Sequence, residues 1–75
     1  MQFIEMTGGT LKSLLSSDEM DETELAAAGV DDKSIVRINQ QGDIEVRRPK
    51  SWDVVGGLLG DFAERITKNT GFDWA

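Results

Sequence analysis

The chain has 75 residues with no cysteine and no histidine, and its 14 acidic residues outnumber its 8 basic residues. Because thiolates and imidazoles are common nucleophiles, general bases and metal ligands, we expect neither an enzyme nor a bound metal or cofactor. No apolar run approaches the roughly 20 residues that span a bilayer, and the first residues do not resemble a signal peptide. The sequence therefore predicts a single cytoplasmic domain over residues 1–75.

The N-terminal part predicts a short strand and a short helix. Residues 2–6 alternate polar and apolar side chains, which is typical of a strand with one buried face. Gly8 and Gly9 end this strand, and Thr10 is a suitable cap for a helix over the leucines that follow. Residues 8–13 are similar to a phosphate-binding loop but lack the glycine that directly precedes its lysine, so we expect an ordinary turn there.

The next segment predicts a second helix that ends at Gly29. Ser16 with Glu19, and Asp21 with Glu24, both have the spacing of a capping box, so either pair is a suitable start. A glycine directly after the helix is favoured because it tolerates a positive φ angle.

Negative charge is concentrated around the start of this helix. Residues 1–32 carry eight acidic residues and one basic residue, whereas residues 33–75 carry six acidic and seven basic residues. Such a surface attracts basic partners and repels nucleic acid, although acids at a helix start also interact favourably with its dipole. The candidate partner-binding residues of this acidic face are Asp18, Glu19, Asp21, Glu22 and Glu24.

Residues 34–48 predict a β-hairpin. Two β-rich runs flank a three-residue loop over residues 40–42, in which Gly42 takes the left-handed position of a type I turn with a bulge. This loop fixes the register, and the register places the apolar side chains on one face and a charged pair on the other. The predicted pairs are Ile38 with Ile44, Val36 with Val46, and Arg37 with Glu45.

Basic residues on and beside this hairpin suggest an alternative function in nucleic-acid binding. They are Arg37, Arg47, Arg48 and Lys50. Two helices before a hairpin are typical of a winged helix, but there the second helix enters the major groove, and here that helix is acidic. The hairpin alone would then contact the phosphate backbone.

The segments Leu-Ala-Ala-Ala-Gly-Val at residues 25–30, Ile-Val-Arg-Ile at 35–38 and Gly-Asp-Ile-Glu-Val at 42–46 resemble the second half of the AbrB/MazE swapped-hairpin family. The resemblance covers about a third of the chain. It implies a dimeric DNA-binding or antitoxin-like regulator. The preceding hairpin and the basic DNA-contacting positions of that family have no match here, so the resemblance implies no site residue.

The last part predicts an amphipathic helix from Ser51 to the residues before Gly71. Its apolar side chains fall on one helical stripe, and Ser51 is a suitable cap. Gly56, Gly57 and Gly60 interrupt it, and each costs about 0.5–1 kcal/mol relative to alanine. Three interpretations stay open: close packing within the fold or in a homodimer, a hinge that makes residues 52–55 a separate turn or strand, or no functional role.

The predicted order β-α-α-β-β-α corresponds to an α+β domain with a three-stranded antiparallel sheet and helices packed on one face. We expect the apolar C-terminal tail to fold back onto the core. The favoured function is a small acidic protein-interaction module, such as an adaptor, inhibitor or regulatory subunit, that is a monomer or a homodimer. A second candidate surface, aromatic and glycine-rich, comprises Trp52, Gly56, Gly60 and Trp74, although both tryptophans also suit a core.

Overall fold

The chain folds into a four-stranded antiparallel sheet whose strands lie side by side in chain order. The computed structural model describes residues 2–75. The elements are β1 Phe3–Thr7, α1 Gly8–Leu14, α2 Glu22–Ala27, β2 Ile35–Asn39, β3 Asp43–Arg47, β4 Trp52–Gly57 and α3 Phe62–Thr70. The predicted α+β class with an antiparallel sheet is confirmed. The predicted three strands and the order β-α-α-β-β-α are wrong, because the chain forms a fourth strand.

One face of the sheet forms the core together with the helices. Side chains alternate between the two faces of a strand, and the buried set belongs to the inner face. These inner strand residues are Ile4, Met6, Val36, Ile38, Ile44 and Val46, and they share one apolar cluster with Leu11, Leu14, Leu25 and Ile66 of the helices. The outer face consequently has no helix over it within residues 2–75.

The β2–β3 hairpin has the predicted loop and register. Gly42 has a φ angle of 89°, and its N–H donates to the Asn39 carbonyl oxygen at 3.0 Å. The turn and the side-chain faces independently require the same pairing, which explains why the prediction succeeds. The observed pairs are Val36 with Val46, Arg37 with Glu45 and Ile38 with Ile44.

Strand β4 replaces the first part of the predicted C-terminal helix. The helix prediction from Ser51 is wrong, whereas the alternative of a separate strand near residues 52–55 is confirmed. Glycine and valine are weak helix formers, and β3 offers an unpaired edge on which this segment satisfies its backbone groups. A register shift between Ile44 and Glu45 adds one residue to β4. Helix α3 then begins only at Phe62.

The helix ends follow local capping rules. Thr7 rather than the predicted Thr10 caps α1, because the Thr7 hydroxyl accepts from the Thr10 N–H. Asp21 and Glu24 form the reciprocal capping box of α2, one of the two predicted starts. Gly29 and Gly71 follow α2 and α3 with φ angles of 78° and 79°, as predicted for terminating glycines.

The C-terminal tail folds back as expected. The N–H of Phe3 donates to the Ala75 carbonyl at 3.1 Å, and the N–H of Ala75 donates to the Phe3 carbonyl at 2.9 Å. Trp74 packs edge-on against Phe62 with ring centroids 6.3 Å apart. Phe72, in contrast, is 43% exposed. The tail therefore covers part of the β1 edge.

The junction between β1 and α1 gives a direct test of the packing. A Cβ atom at Gly8 would overlap the Asp31 carbonyl oxygen, whereas one at Gly9 would meet Asp32 at an ordinary 3.4 Å. We expect Gly8→Ala to lower the free energy of unfolding by about 1–3 kcal/mol. Gly9→Ala is the matched control and should be neutral or stabilising by up to about 1 kcal/mol. Equal effects in urea denaturation would contradict this packing.

Candidate functional site

The acidic face contains two kinds of carboxylate. Asp21 and Glu24 are exposed but form the capping box of α2. Asp18 and Glu22 are exposed and form no salt bridge with any residue that the structure describes. Of the predicted acidic residues outside the capping box, these two retain a carboxylate that is free to meet a partner.

Glu19 has a structural role within the fold. Its Oε2 lies 2.6 Å from Arg65 Nη2, and its Oε1 lies 2.7 Å from Arg65 Nη1. The N–H groups of Leu59 and Ser16 also donate to this carboxylate, at 2.6 and 2.9 Å. The side chain is only 1% exposed, so Glu19 is not available to a partner.

The predicted aromatic and glycine-rich face does not form one surface. Trp52 lies on β4, whereas Trp74 packs against Phe62 beside the core. Gly56 is also on β4, where a Cβ atom would overlap the Met20 sulfur, so this glycine makes room for the core. Gly60 lies in the following loop with a φ angle of 64°. The helical glycine surface expected for a homodimer is therefore absent from the structure.

The basic residues predicted to contact nucleic acid do not form one cluster in the structure. Arg48 donates to the Asp53 carboxylate at 3.1 Å and to the Ala28 carbonyl at 2.7 Å, which ties β4 to the end of α2. Arg47 and Lys50 are exposed and form no salt bridge within residues 2–75. Arg37 lies on the outer face of the sheet, where Glu45 binds it.

The two glycines at the start of α1 do not form an anion site. The N–H groups of Gly8 and Gly9 donate to the carbonyls of Ser34 and Asp32, and the Lys12 ammonium binds the Asp32 carboxylate at 2.8 Å. The donors that a phosphate would need are thus already used. No group of side chains among residues 2–75 is arranged to hold a metal ion.

A clamped arginine occupies the middle of the outer face. The Arg37 guanidinium carbon lies 3.7 Å from the Phe3 ring centroid and 4.1 Å from that of Trp52. Nε and Nη2 of Arg37 donate to Glu45 Oε1 at 3.1 and 2.9 Å, and Asn39 donates to Glu45 Oε2 at 3.3 Å. Two aromatic contacts and an ion pair therefore hold the guanidinium in one orientation.

Exposed apolar side chains surround this clamp. Val54 on β4 is 59% exposed and Ile35 on β2 is 40% exposed, while Phe3 and Trp52 are half-buried against Arg37. We call this set, Phe3, Ile35, Arg37, Glu45, Trp52 and Val54, the sheet-face patch. An open apolar surface around a Trp–Arg contact is typical of a binding surface.

The sequence indicated only part of this patch. It predicted the Arg37–Glu45 pair and named Trp52, but assigned them to different surfaces because the helix prediction removed Trp52 from the sheet. Phe3, Ile35 and Val54 were not predicted as site residues. The available signal was the strand alternation, which places Phe3 on the face opposite Ile4 and Ile35 on the face opposite Val36.

Comparisons of the chain with protein-family models, with curated proteins and with solved structures find no match. None of the three helices within residues 2–75 has the length and apolarity needed to cross a bilayer. The AbrB/MazE resemblance stays a prediction.

The Glu19–Arg65 pair predicts a pH-dependent stability. Hydrogen bonds from Arg65, together with the N–H groups of Ser16 and Leu59, lower the pKa of Glu19 from 4.5 to about 2. A lowered folded-state pKa stabilises the fold above the unfolded value, and this contribution is lost as the pH falls through about 2. We expect Glu19→Gln to lower the free energy of unfolding at pH 7 by about 3 kcal/mol.

The matched control is Asp18→Asn, whose carboxylate makes no such contact and which should change stability by less than about 0.5 kcal/mol. The gap between Glu19→Gln and the unmodified chain should shrink as the pH falls from about 4.5 to about 2, because protonation makes Glu19 a neutral isostere of glutamine. A gap that persists unchanged over that range in urea denaturation would rule out the ion pair as its cause.

Proposed function

We propose that this chain is a protein-interaction module that holds a partner protein against the sheet-face patch. One observation carries the proposal: Ile35, Trp52 and Val54 leave apolar surface open around the clamped Arg37. Tryptophan and arginine dominate the energetics of protein interfaces, and exposed apolar area around them supplies the driving force for association. Binding rather than turnover is the proposed activity.

The fixed orientation of Arg37 supports this role. A free arginine side chain loses rotamer entropy when a partner immobilises it, at about 0.5–1.5 kcal/mol for a flexible side chain. Here Phe3, Trp52 and Glu45 already restrain the guanidinium before any partner binds. The partner therefore meets a rigid surface, which lowers the entropic cost of complex formation.

The charges around Arg37 favour a protein over nucleic acid. Glu5 pairs across the strands with Arg37 on one side, and Glu45 pairs with it on the other. Asp43 follows at the hairpin end of the same face. A phosphate backbone would meet these carboxylates together with the arginine, whereas a protein surface offers both signs of charge.

The acidic face stays a prediction as a second contact for a basic partner. Its accessible members are Asp18 and Glu22, on the helical side of the molecule and away from the sheet-face patch. A basic segment would meet them without disturbing the capping box or the Glu19–Arg65 pair. This interaction would be exposed to solvent, so we expect salt to weaken it.

Affinity capture from native-cell extract with three tagged baits tests the proposal. The first bait is the unmodified chain. The second is the double variant Ile35→Thr, Val54→Thr, which removes exposed apolar surface but keeps two β-branched side chains. The third is the acidic-face variant Asp18→Asn, Glu22→Gln, which leaves Glu19 and Asp21 intact. We expect the second bait to recover the partner at least about tenfold less than the first.

Circular dichroism of all three baits should be the same, because the four altered side chains are exposed. Recovery that drops only with the third bait would move the interaction to the acidic face. Equal recovery by all three baits would refute the sheet-face patch as the binding surface.

A further inference from the structure

We propose that the partner held on the sheet-face patch is a second copy of this chain, an inference that rests on the proposed function. The two sheets would pack face to face, related by a twofold axis that lies between them and runs parallel to the strands. This operation places β1 over β4 of the second copy and β2 over β3 of the second copy. This choice of axis follows from the charge pattern that the sheet register creates.

Residues that pair across the four strands form rows on the outer face. The middle row decides how the two sheets are oriented relative to each other. Along this row the register places Glu5, Arg37, Glu45 and Val54 side by side on β1 to β4. The proposed axis reverses the strand order, so Arg37 of each copy lies over Glu45 of the other. The two central ion pairs thus meet with crossed signs, which favours this contact.

A twofold axis perpendicular to the strands gives the opposite result. That operation places each strand over the equivalent strand of the second copy. Arg37 of one copy would then lie over Arg37 of the other, and Glu45 over Glu45. Glu45 is only 8% exposed and cannot turn away from such a contact without breaking its bonds to Arg37 and Asn39. Like charges at close range in a partly desolvated contact are unfavourable, so the register selects the parallel axis.

Side-chain size follows the same pattern at the ends of the sheet. The row beside the hairpin loop begins with Phe3 on β1 and ends with Gly57 on β4. The row at the other end begins with Thr7 and ends with Trp52. The proposed axis places the backbone of Phe3 over Gly57 and that of Trp52 over Thr7, and both rings lean inward to Arg37, so neither aromatic residue is placed over the other. Sheets that pack in aligned pairs, rotated by about 30°, keep this order of rows.

The size of the face sets the strength of the contact. Four strands at about 4.8 Å spacing, each about five residues long at about 3.3 Å per residue, give a footprint of about 300 Å². This is well below the roughly 800 Å² that each partner buries in a standard specific interface, so the contact is a weak one. We therefore expect a monomer–dimer equilibrium that depends on concentration rather than a permanent dimer.

Four charged variants at two exposed positions test the arrangement by sedimentation equilibrium. Val54 lies over Glu5 of the second copy, so Val54→Asp should weaken the dimer and Val54→Lys should preserve it. Ile35 lies beside Arg47 in its row and therefore over Arg47 of the second copy. Consequently Ile35→Lys should weaken the dimer and Ile35→Glu should preserve it. We expect at least about a tenfold difference in dimer dissociation constant within each pair of variants.

The sign of the tolerated charge thus reverses between the two positions, which a nonspecific apolar contact cannot produce. Measurements on the unmodified chain at roughly 10 µM and roughly 1 mM should bracket the equilibrium, since a micromolar to millimolar dissociation constant corresponds to about −8 to −4 kcal/mol. Equal weakening by all four variants would overturn the proposed axis.

The capture experiment separates this inference from the function on which it rests. A monomer at both concentrations would overturn the second copy as partner. If the bait with Ile35→Thr and Val54→Thr then recovered less of a different protein than the unmodified bait, the chain would still be an interaction module without forming the dimer. If neither self-association nor partner loss were observed, both proposals would fall.

Discussion

Within residues 2–75 the three helices pack against one face of the sheet, and this one-sided packing determines what the other face does. A chain of 75 residues builds one core, and its apolar strand residues are committed to the helical side. The outer face must then be compatible with water or be covered by another molecule. This chain satisfies its central charges with the Arg37–Glu45 pair and leaves apolar side chains around them exposed.

One of the excess acidic residues, Glu19, is buried in the fold and forms an ion pair there. Glu19 reaches Arg65 of α3 and the N–H group of Leu59, and Arg65 also donates to the Leu14 carbonyl at the end of α1. One buried carboxylate thereby connects the turn before α2 with the loop before α3. Removing a partner from a buried pair is costly, so this carboxylate is better explained by stability than by recognition. The surface proposed for recognition is therefore the outer face of the sheet.

Local patterns were sufficient to predict the hairpin and the terminating glycines and to limit the start of α2 to two capping pairs, because each depends on residues close in sequence. The β4 segment resembles a helix because Val55 and Leu58 continue the helical spacing of Phe62 and Ile66, which do belong to α3, and only pairing with β3 reveals the strand. The sequence did not predict the sheet-face patch for the same reason. Trp52 and Arg37 meet only when β4 joins the sheet, so no local pattern connects them.

The most direct test is the solvent accessibility of methyl groups, measured by NMR relaxation with a soluble paramagnetic probe at low and high protein concentration. Leu59 is an internal reference because its side chain is 61% exposed in the loop before α3, outside the sheet-face patch. At high concentration the methyl groups of Ile35 and Val54 should become protected from the probe while Leu59 stays accessible. If Ile35 and Val54 stay as accessible as Leu59 at every concentration, no second copy covers the outer face of the sheet.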